Sequence, residues 1–530
     1  MSPTHRDVTS TLLVNRDPYE VADFETAISA TGFGKFNYIL LLVALIGSLS
    51  SSFATTTMSY VVPVAECDLA LTLVDKGMLN ASYYLGTLSS VFLWGFLADT
   101  YGRRKLQICG HWLDMICNIC CALSQTFWML FIFKFFSGFI GSGPYTILMS
   151  YIAEFHCTKH RSRVMVLAGV FLTAGNAVLP FIAWLILPMD ITFRIFNLNI
   201  NSWRIFLALC ALPSLIAAIG HTILPESPKF LMYIGRNKEA LNVFHRIYEQ
   251  NTGNLCETYP IKALVNERYP LKENMNEKSF KDEVETKANT KAFRNGLKQV
   301  KTMFFPPYLM NFILVNVLQF GGMMGSNTLR LWLPQLFATI DEYGQSNNYT
   351  SDASLCEMLA FTGMRNVSVE HIVMEQCTLV HIDDQVYINS VIVSLCAVLG
   401  YIFVGTLINA IGKKNLLVVT FAIAGIFGIA NYWSNSSWAT LTFSSIFVTL
   451  GGICVQVLIA VMVELFPTSL RTMVISMTMI FGRIGAMTGN ILFPALLEVS
   501  CLPPFLLIGG ITIGCALVSM LLPKKAADFT

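Results

Sequence analysis

Gly95-Phe96-Leu97-Ala98-Asp99-Thr100-Tyr101-Gly102-Arg103-Arg104-Lys105 stands where an apolar run ends, and the chain carries a version of it twice. Gly405-Thr406-Leu407-Ile408-Asn409-Ala410-Ile411-Gly412-Lys413-Lys414 occupies the equivalent place further on. A second feature keeps the same displacement. Glu154 precedes Arg161 as Glu464 precedes Arg471, and the step from 154 to 464 equals the step from 95 to 405. Two motifs sharing one displacement imply two related halves in parallel orientation. Parallel repeats of this kind build membrane bundles that rock around a central site.

Composition supports the membrane. Of 530 residues, 54% are hydrophobic and only 13% charged, while the net charge of +2 says little by itself. About twelve apolar runs approach the roughly 20 residues that a spanning helix needs. They are expected near 37–62, 78–98, 106–124, 127–152, 164–188, 203–224, 308–336, 386–409, 415–433, 438–463, 472–497 and 503–522. The fold class is therefore all-α membrane protein, with two pseudo-symmetric six-helix bundles. The domain reading is a cytosolic N-terminus 1–36, a first bundle 37–224, a cytosolic linker 225–305, a second bundle 306–522 with an outer loop 338–385, and a cytosolic tail 523–530. Residues 236–250 have helical periodicity with one apolar face, and 271–300 read as a flexible Lys/Glu/Asn-rich tether.

Orientation follows from the basic residues. Arg103, Arg104 and Lys105 follow span two, Lys159, Arg161 and Arg163 follow span four, and the long linker is rich in Lys and Arg. With twelve spans all of these share one side, which the positive-inside rule makes cytosolic, together with both termini. The segment 338–385 is acidic and holds the sequons at Asn348 and Asn366, and a third at Asn435 lies on the same side. The polar first 36 residues and the long first apolar run predict an uncleaved insertion signal. Cys356 and Cys377 share the outer loop and are the expected candidate disulfide there.

The Gly95–Lys105 stretch resembles the signature loop of the major facilitator superfamily. Pro225-Glu226-Ser227-Pro228-Lys229-Phe230-Leu231 resembles the motif that follows span six in its sugar-porter and organic-ion branches. Thr31-Gly32-Phe33-Gly34-Lys35-Phe36, Leu93-Trp94-Gly95 and Asn201-Ser202-Trp203-Arg204 look like the synaptic vesicle glycoprotein 2 group, which is allied to organic cation and anion transporters. The resemblance implies a secondary transporter working by alternating access. Spans one, four, seven and ten would line its cavity.

The gate residues expected from these motifs are Asp99, Arg103, Arg104, Glu154, Arg161 and Arg163 in the first half, with Asn409, Glu464 and Arg471 in the second. Partly buried charge pairs of this kind lock one packing, because breaking one strands a charge. With Asn409 in place of the carboxylate, the second latch is expected to be weaker.

Charges inside the spans point to the substrate. Arg483 lies about ten residues into span eleven, roughly 15 Å deep at 1.5 Å per residue, where an arginine costs about 2.5–3.5 kcal/mol. The resemblance adds that organic-anion transporters carry an arginine near this place. The expected substrate is a small organic ion, anionic or zwitterionic; a structural ion pair is the competing reading of Arg483. The binding candidates are Arg483, Arg330, Lys134, Gln319, Asn327 and Gln456. Lys134 could instead pair with Asp114 across spans four and three, and Asp114 and His111 are candidates for coupling to a proton.

No phosphate-binding loop and no zinc-binding His-Glu-x-x-His helix occurs in the sequence, so neither ATP use nor an enzyme is expected. Neither a cofactor nor a structural metal is expected. The expected partners are the organic ion, a coupled proton or cation and membrane lipid, with no nucleic acid and a monomeric state. The location would be a plasma or vesicle membrane. The alternative is a transporter-fold glycoprotein with a trafficking or regulatory role and no net transport.

Overall fold

A computed structural model describes residues 21–189, 191–195, 198–265, 304–346, 354–359 and 384–523. At 99, 162, 195, 198, 346, 405–410, 468, 469 and 472 only the backbone is described. The tether at 271–300 and the sequons at Asn348 and Asn366 lie outside the described residues.

Among the described residues twelve helical spans follow one another. The first six are Lys35–Ala65, Leu73–Tyr101, Arg103–Ala122, Phe127–Glu154, Thr158–Ile186 and a broken sixth, Ser202–Cys210 with Leu212–Ile223. The second six are Leu309–Ser346, Asp384–Ile411, Lys413–Ala430, Ser437–Leu465, Thr468–Val499 and Leu502–Met520. Ten of them are long and apolar enough to cross a membrane. Spans two and three fall short of that standard because charged and polar residues, among them Lys76, Arg103, His111 and Asp114, interrupt them. The protein is a multi-pass membrane protein.

Local chemistry marks the same boundaries in both halves. Thr126 caps span four by accepting the Met129 N–H, and Ser436 caps span ten by accepting the Ala439 N–H. Their displacement is that of the two signature loops. Between spans two and three the chain turns at Gly102, with φ of 93°, and between spans eight and nine at Gly412, with φ of 82°. A side chain at either place would strain the backbone. At Gly412 the backbone alone makes this demand, and at Gly102 an added Cβ would also lie 2.6 Å from Glu226 Oε2.

Within the first half, span one packs on four, five and six, and span two packs on four. The second half repeats this, with seven on ten, eleven and twelve, and eight on ten. The halves meet through span two on eleven, five on eight and one on seven. The first two of these contacts are exchanged by the pseudo-twofold axis.

The apolar clusters show how the halves are closed. At the end opposite the linker one cluster joins Tyr60, Val61 and Leu79 of the first half to Trp332, Tyr387 and Phe493 of the second. At the linker end the clusters belong to single halves: Phe36, Tyr151 and Phe155 in one, Phe312, Leu458 and Phe466 in the other. The described core is thus sealed at the far end and divided at the linker end.

Three boundaries differ from the sequence reading. Span seven runs to Ser346 rather than giving way to a loop at 338. An antiparallel hairpin, Thr192–Ile195 with Leu198–Asn201, joins spans five and six. Residues 21–34 and the described linker fold together. Val21–Ala22 pairs in parallel with Ala263–Leu264, and Phe24, Ile28, Met232, Phe244 and Ile261 form a small core. The amphipathic segment expected at 236–250 is the helix Asn237–Thr252, whose buried Ala240, Phe244 and Ile247 supply the inner face. Asp23 caps the helix Phe24–Ala30. The Thr26 side chain, then its N–H, hold the Asp23 carboxyl below the ordinary carboxylate range.

The expected Cys356–Cys377 disulfide is corrected: Cys356 bonds Cys501, at the start of span twelve, with Cα atoms 5.5 Å apart. The short helical segment at 355–359 lies back on the bundle, where Leu355 donates its N–H to the Ser434 carbonyl. That fold-back carries Cys356 to Cys501, a juxtaposition that linear proximity in one loop does not convey. Cys377 lies outside the described residues, and Cys67 is also disulfide-bonded.

Candidate functional site

The polar groups between the halves gather on Arg330 of span seven. Its guanidinium donates to Asn327 Oδ1 at 2.7 Å on its own helix. Across the interface it donates to Thr56 Oγ1 of span one and Asn176 Oδ1 of span five, each at 3.2 Å. Tyr84 of span two donates to the same Asn327 oxygen at 3.1 Å. Ser52 donates to Asn176 at 2.7 Å. Four helices, three of them from the first half, therefore converge on one cation.

Arg483 of span eleven faces the same helices. It donates to the Thr87 carbonyl at 3.4 Å, a long contact, and lies beside Tyr83 and Tyr84. Tyr84 thus sits next to both guanidiniums. Among the described residues neither arginine has a carboxylate partner; their partners are amide, hydroxyl and carbonyl oxygens. Both are only half-buried. This is a pair of cations from one half presented to the other without a counter-ion, in the stretch between the sealed end and the divided end.

The other candidates fall elsewhere. Lys134 is buried within the first half and donates to Thr57 Oγ1 at 2.9 Å, set back from the interface. It forms no ion pair with Asp114. Gln319 is buried between spans seven and eleven, with its Nε2 directed at Met479 Sδ at 3.7 Å. Gln456 is exposed on span ten. Asn176, Tyr83 and Tyr84 were not among the candidates. The aromatic pair looks like packing in sequence, and a single asparagine in span five carries no pattern.

The linker end carries the basic motifs, and here the repeat becomes geometric. Arg103 lies 3.4 Å from Glu154, and Lys413 pairs with Glu464 at the matching positions. Arg104 donates to the His221 and Thr222 carbonyls at the end of span six. Lys414 donates to the Met520 and Leu522 carbonyls at the end of span twelve. Each basic pair clamps the third helix of its half-repeat to the sixth and to the fourth. A cation at a helix C-terminus also meets the negative end of the helix dipole.

The first half has a further anion. The Glu226 carboxylate accepts the N–H groups of Arg103, Arg104 and Ser227 at 2.9, 3.0 and 3.0 Å. It caps span three at its positive end, a role the Pro225–Leu231 motif contained but did not declare. Arg161 donates to the Ala153 and His156 carbonyls and pairs with Glu25. Arg163 is exposed, and Arg471 leaves its buried Nε without a hydrogen bond among the described residues. The side chains of Asp99 and Asn409 lie outside the described residues. Asn435 is exposed, as a glycan acceptor requires.

Known proteins bear out this architecture. The family described as Sugar (and other) transporter matches residues 37–341, and Major Facilitator Superfamily matches 381–528. Synaptic vesicle glycoprotein 2B of Homo sapiens is 22% identical over 94% of this chain and 85% of its own length. Synaptic vesicle glycoprotein 2A of Rattus norvegicus is 29% identical over 44% of this chain and 32% of its own. Among solved structures, the xylose transporter XylE from E. coli in an inward open conformation superposes with a TM-score of 0.63 at 16% identity, covering 93% of this chain and 98% of that one. The repeated ion pairs, the two six-helix halves and these matches agree: the chain belongs to the sugar (and other) transporter family of the major facilitator superfamily, on its synaptic vesicle glycoprotein 2-like branch.

Proposed function

We propose that this protein is a secondary transporter of a small organic anion or zwitterion, working by alternating access, and not an enzyme. The observation that carries the reading is the pair Arg330 and Arg483. Burying a charge without a partner is costly, and intramembrane cations that lack protein counter-ions mark substrate paths. A carboxylate, sulfonate or phosphate entering between the halves would meet two guanidiniums, the Tyr84 hydroxyl and the Asn176 and Asn327 amides. Arginine suits planar anions because its donors form a fixed fork. Binding would replace the Arg330 contacts to Thr56 and Asn176, so the substrate takes over bonds that now tie the halves together.

In this reading the linker end faces the cytosol, with both termini there, and the structure is the inward-facing state. The basic clamps keep each half rigid as it rocks; Gln456 belongs to the wall of the path, and Gln319 stands behind it, buried between spans seven and eleven. The protein works as a monomer, in a plasma or vesicle membrane, coupled to a proton or other cation. The test is uptake of labelled organic anions, cations and neutral sugars into cells expressing the full chain. Anion uptake abolished by Arg483→Ala supports the proposal; uptake of cations or sugars alone, indifferent to that change, sinks it.

A second reading has its own support. The relatives aligned over most of the chain are named as vesicle glycoproteins, which fits a trafficking or regulatory role without net transport. Anion binding to the purified protein with no uptake in any cell or vesicle would favour it.

A further inference from the structure

Behind the arginine site, inside the first half, lies a second polar centre that the anion does not reach. Asp114 of span three is 2% exposed. Its carboxylate accepts hydroxyls from three other helices: Ser214 of span six at 2.7 Å, Ser137 of span four at 3.0 Å and Ser50 of span one at 3.4 Å. Ser50 and Ser214 are themselves 2.8 Å apart. Lys134, one turn before Ser137, approaches from span four but bonds Thr57 instead.

The partner set is informative. Asp68, by contrast, is fixed by donors that cannot accept, Arg204 at 2.6 Å and the Trp203 indole at 3.2 Å. Every partner of Asp114 is a hydroxyl, which donates to a carboxylate or accepts from a carboxylic acid by rotating one O–H bond. The site can therefore gain or lose a proton with its heavy atoms in place.

The titratable groups around Asp114 on each packed helix are few. Span four brings Lys134, span two brings Tyr83, and span six brings Cys210 and His221. Its own helix adds His111, Cys117 and Cys121, and span one offers only hydroxyls. No second carboxylate is among them.

Two buried histidines stand between this centre and the linker end; among the described residues no hydrogen bond joins them to each other or to Asp114, and His221 Nδ1 is bonded to the Ala217 carbonyl. His111 lies one turn before Asp114 and stacks on His221 with ring centroids 5.4 Å apart. His111 is 1% exposed, and among the described residues neither of its ring nitrogens has a hydrogen-bond partner. A buried imidazole with both nitrogens free is an unusual expense, and its place between the linker end and Asp114 gives it a use. His221 in turn packs near Tyr151, whose hydroxyl donates to the Pro225 carbonyl at 2.5 Å where the linker begins.

We infer that Asp114 is a proton-binding site, loaded from the linker end through His221 and His111 and separate from the anion site. The Asp114 carboxylate takes up one proton and releases it by the same route. Two connections reach the anion site. Span one carries Ser50 and Thr57 towards Asp114 and Lys134, and Ser52 and Thr56 towards Asn176 and Arg330. Tyr83 faces Lys134, with the ammonium 5.6 Å from its ring, while its neighbour Tyr84 holds Asn327. Coupling of this proton to solute movement rests on the transporter reading; proton binding itself does not.

Infrared difference spectra of the full chain in lipid, recorded between neutral and acidic pH in heavy water, test the site directly. The expected result is a deuterated-carboxyl band that appears on acidification, that Asp114→Asn removes and Asp114→Glu moves. Ser214→Ala keeps the carboxyl and shifts the same band, so the assignment does not hang on one variant's folding. After a pH jump, His111→Leu delays the band at least severalfold without reducing its final size. A wild-type spectrum without such a band, or one that these variants leave unchanged, overturns the site; an undelayed rise in His111→Leu overturns the route. Either failure leaves the anion reading intact, because no solute is present in the measurement.

Discussion

Arg103 holds the Glu154 carboxylate at 3.4 Å on the linker end of the first half, and Lys413 holds Glu464 at the corresponding place in the second. The two pairs differ in setting. The side chains of Arg103 and Glu154 are 16% and 11% exposed, and those of Lys413 and Glu464 are 30% and 59%. Removing one partner of a buried pair costs up to about 3–5 kcal/mol, whereas exposed pairs are worth about 0–1 kcal/mol. Glu154→Gln is therefore expected to lower the thermal midpoint of the purified protein clearly, and Glu464→Gln barely. Equal effects would contradict the idea that the first latch is the stronger.

Glu226 makes a related prediction. Its carboxylate meets three N–H groups, two of them at the start of span three, where an anion is worth about 0.3–2 kcal/mol. Glu226→Gln should loosen the link between the folded linker and the bundle. Limited proteolysis should then cut the 225–265 segment faster. A cleavage rate equal to wild type would show that the linker is held by its apolar core alone.

The Cys356–Cys501 bond closes a span of 145 residues. In the chain-entropy account, a loop of at least 100 residues gains about 4.7 kcal/mol. Peptide mapping without reductant should recover fragments containing Cys356 and Cys501 joined, and Cys501→Ser should lower the thermal midpoint. Recovery of Cys501 as a free thiol would refute the assignment.

The sealed end depends on close approach of spans two and eleven. A Cβ on Gly77 would lie 2.6 Å from both the Asn490 carbonyl oxygen and Pro494 Cγ. Gly77→Val should therefore push the halves apart at that end. A cysteine placed at Ala486, which packs with Tyr84 and Leu331, should then react faster with a membrane-impermeant thiol reagent added from that side. No change in rate would mean that the seal lies nearer the membrane surface than Gly77.

Much of the fold was legible because the repeat is written in residues that the backbone itself requires. Gly102 and Gly412 need a positive φ, so motif spacing carried both halves, while the pairing of Lys413 with Glu464 emerges only in the structure. Apolar runs located the spans for the same reason. The disulfide was not legible, since the path of the chain between 346 and 384 decides which cysteine meets Cys501. The site was half legible. Arg330, Asn327 and Arg483 stand out as polar groups in apolar helices, and the structure brings Arg330 and Asn327 together, with Arg483 beside the same Tyr84. Lys134 stands out equally, yet it turns inward to Thr57, because helix rotation is not fixed by a run that is apolar on every face. Asn176 and Glu226 gain their roles through partners more than a hundred residues away, Arg330 for one and the start of span three for the other.

The central claim is that Arg330 and Arg483 form an anion site between the halves. The most direct measurement is a thermal-shift titration of the purified full chain with organic anions, cations, zwitterions and neutral sugars, run beside Arg330→Ala and Arg483→Ala. The account predicts stabilisation by an anion or zwitterion, reduced at least tenfold in apparent affinity in either variant. Stabilisation only by cations or sugars, or an anion effect that both variants retain, would contradict it.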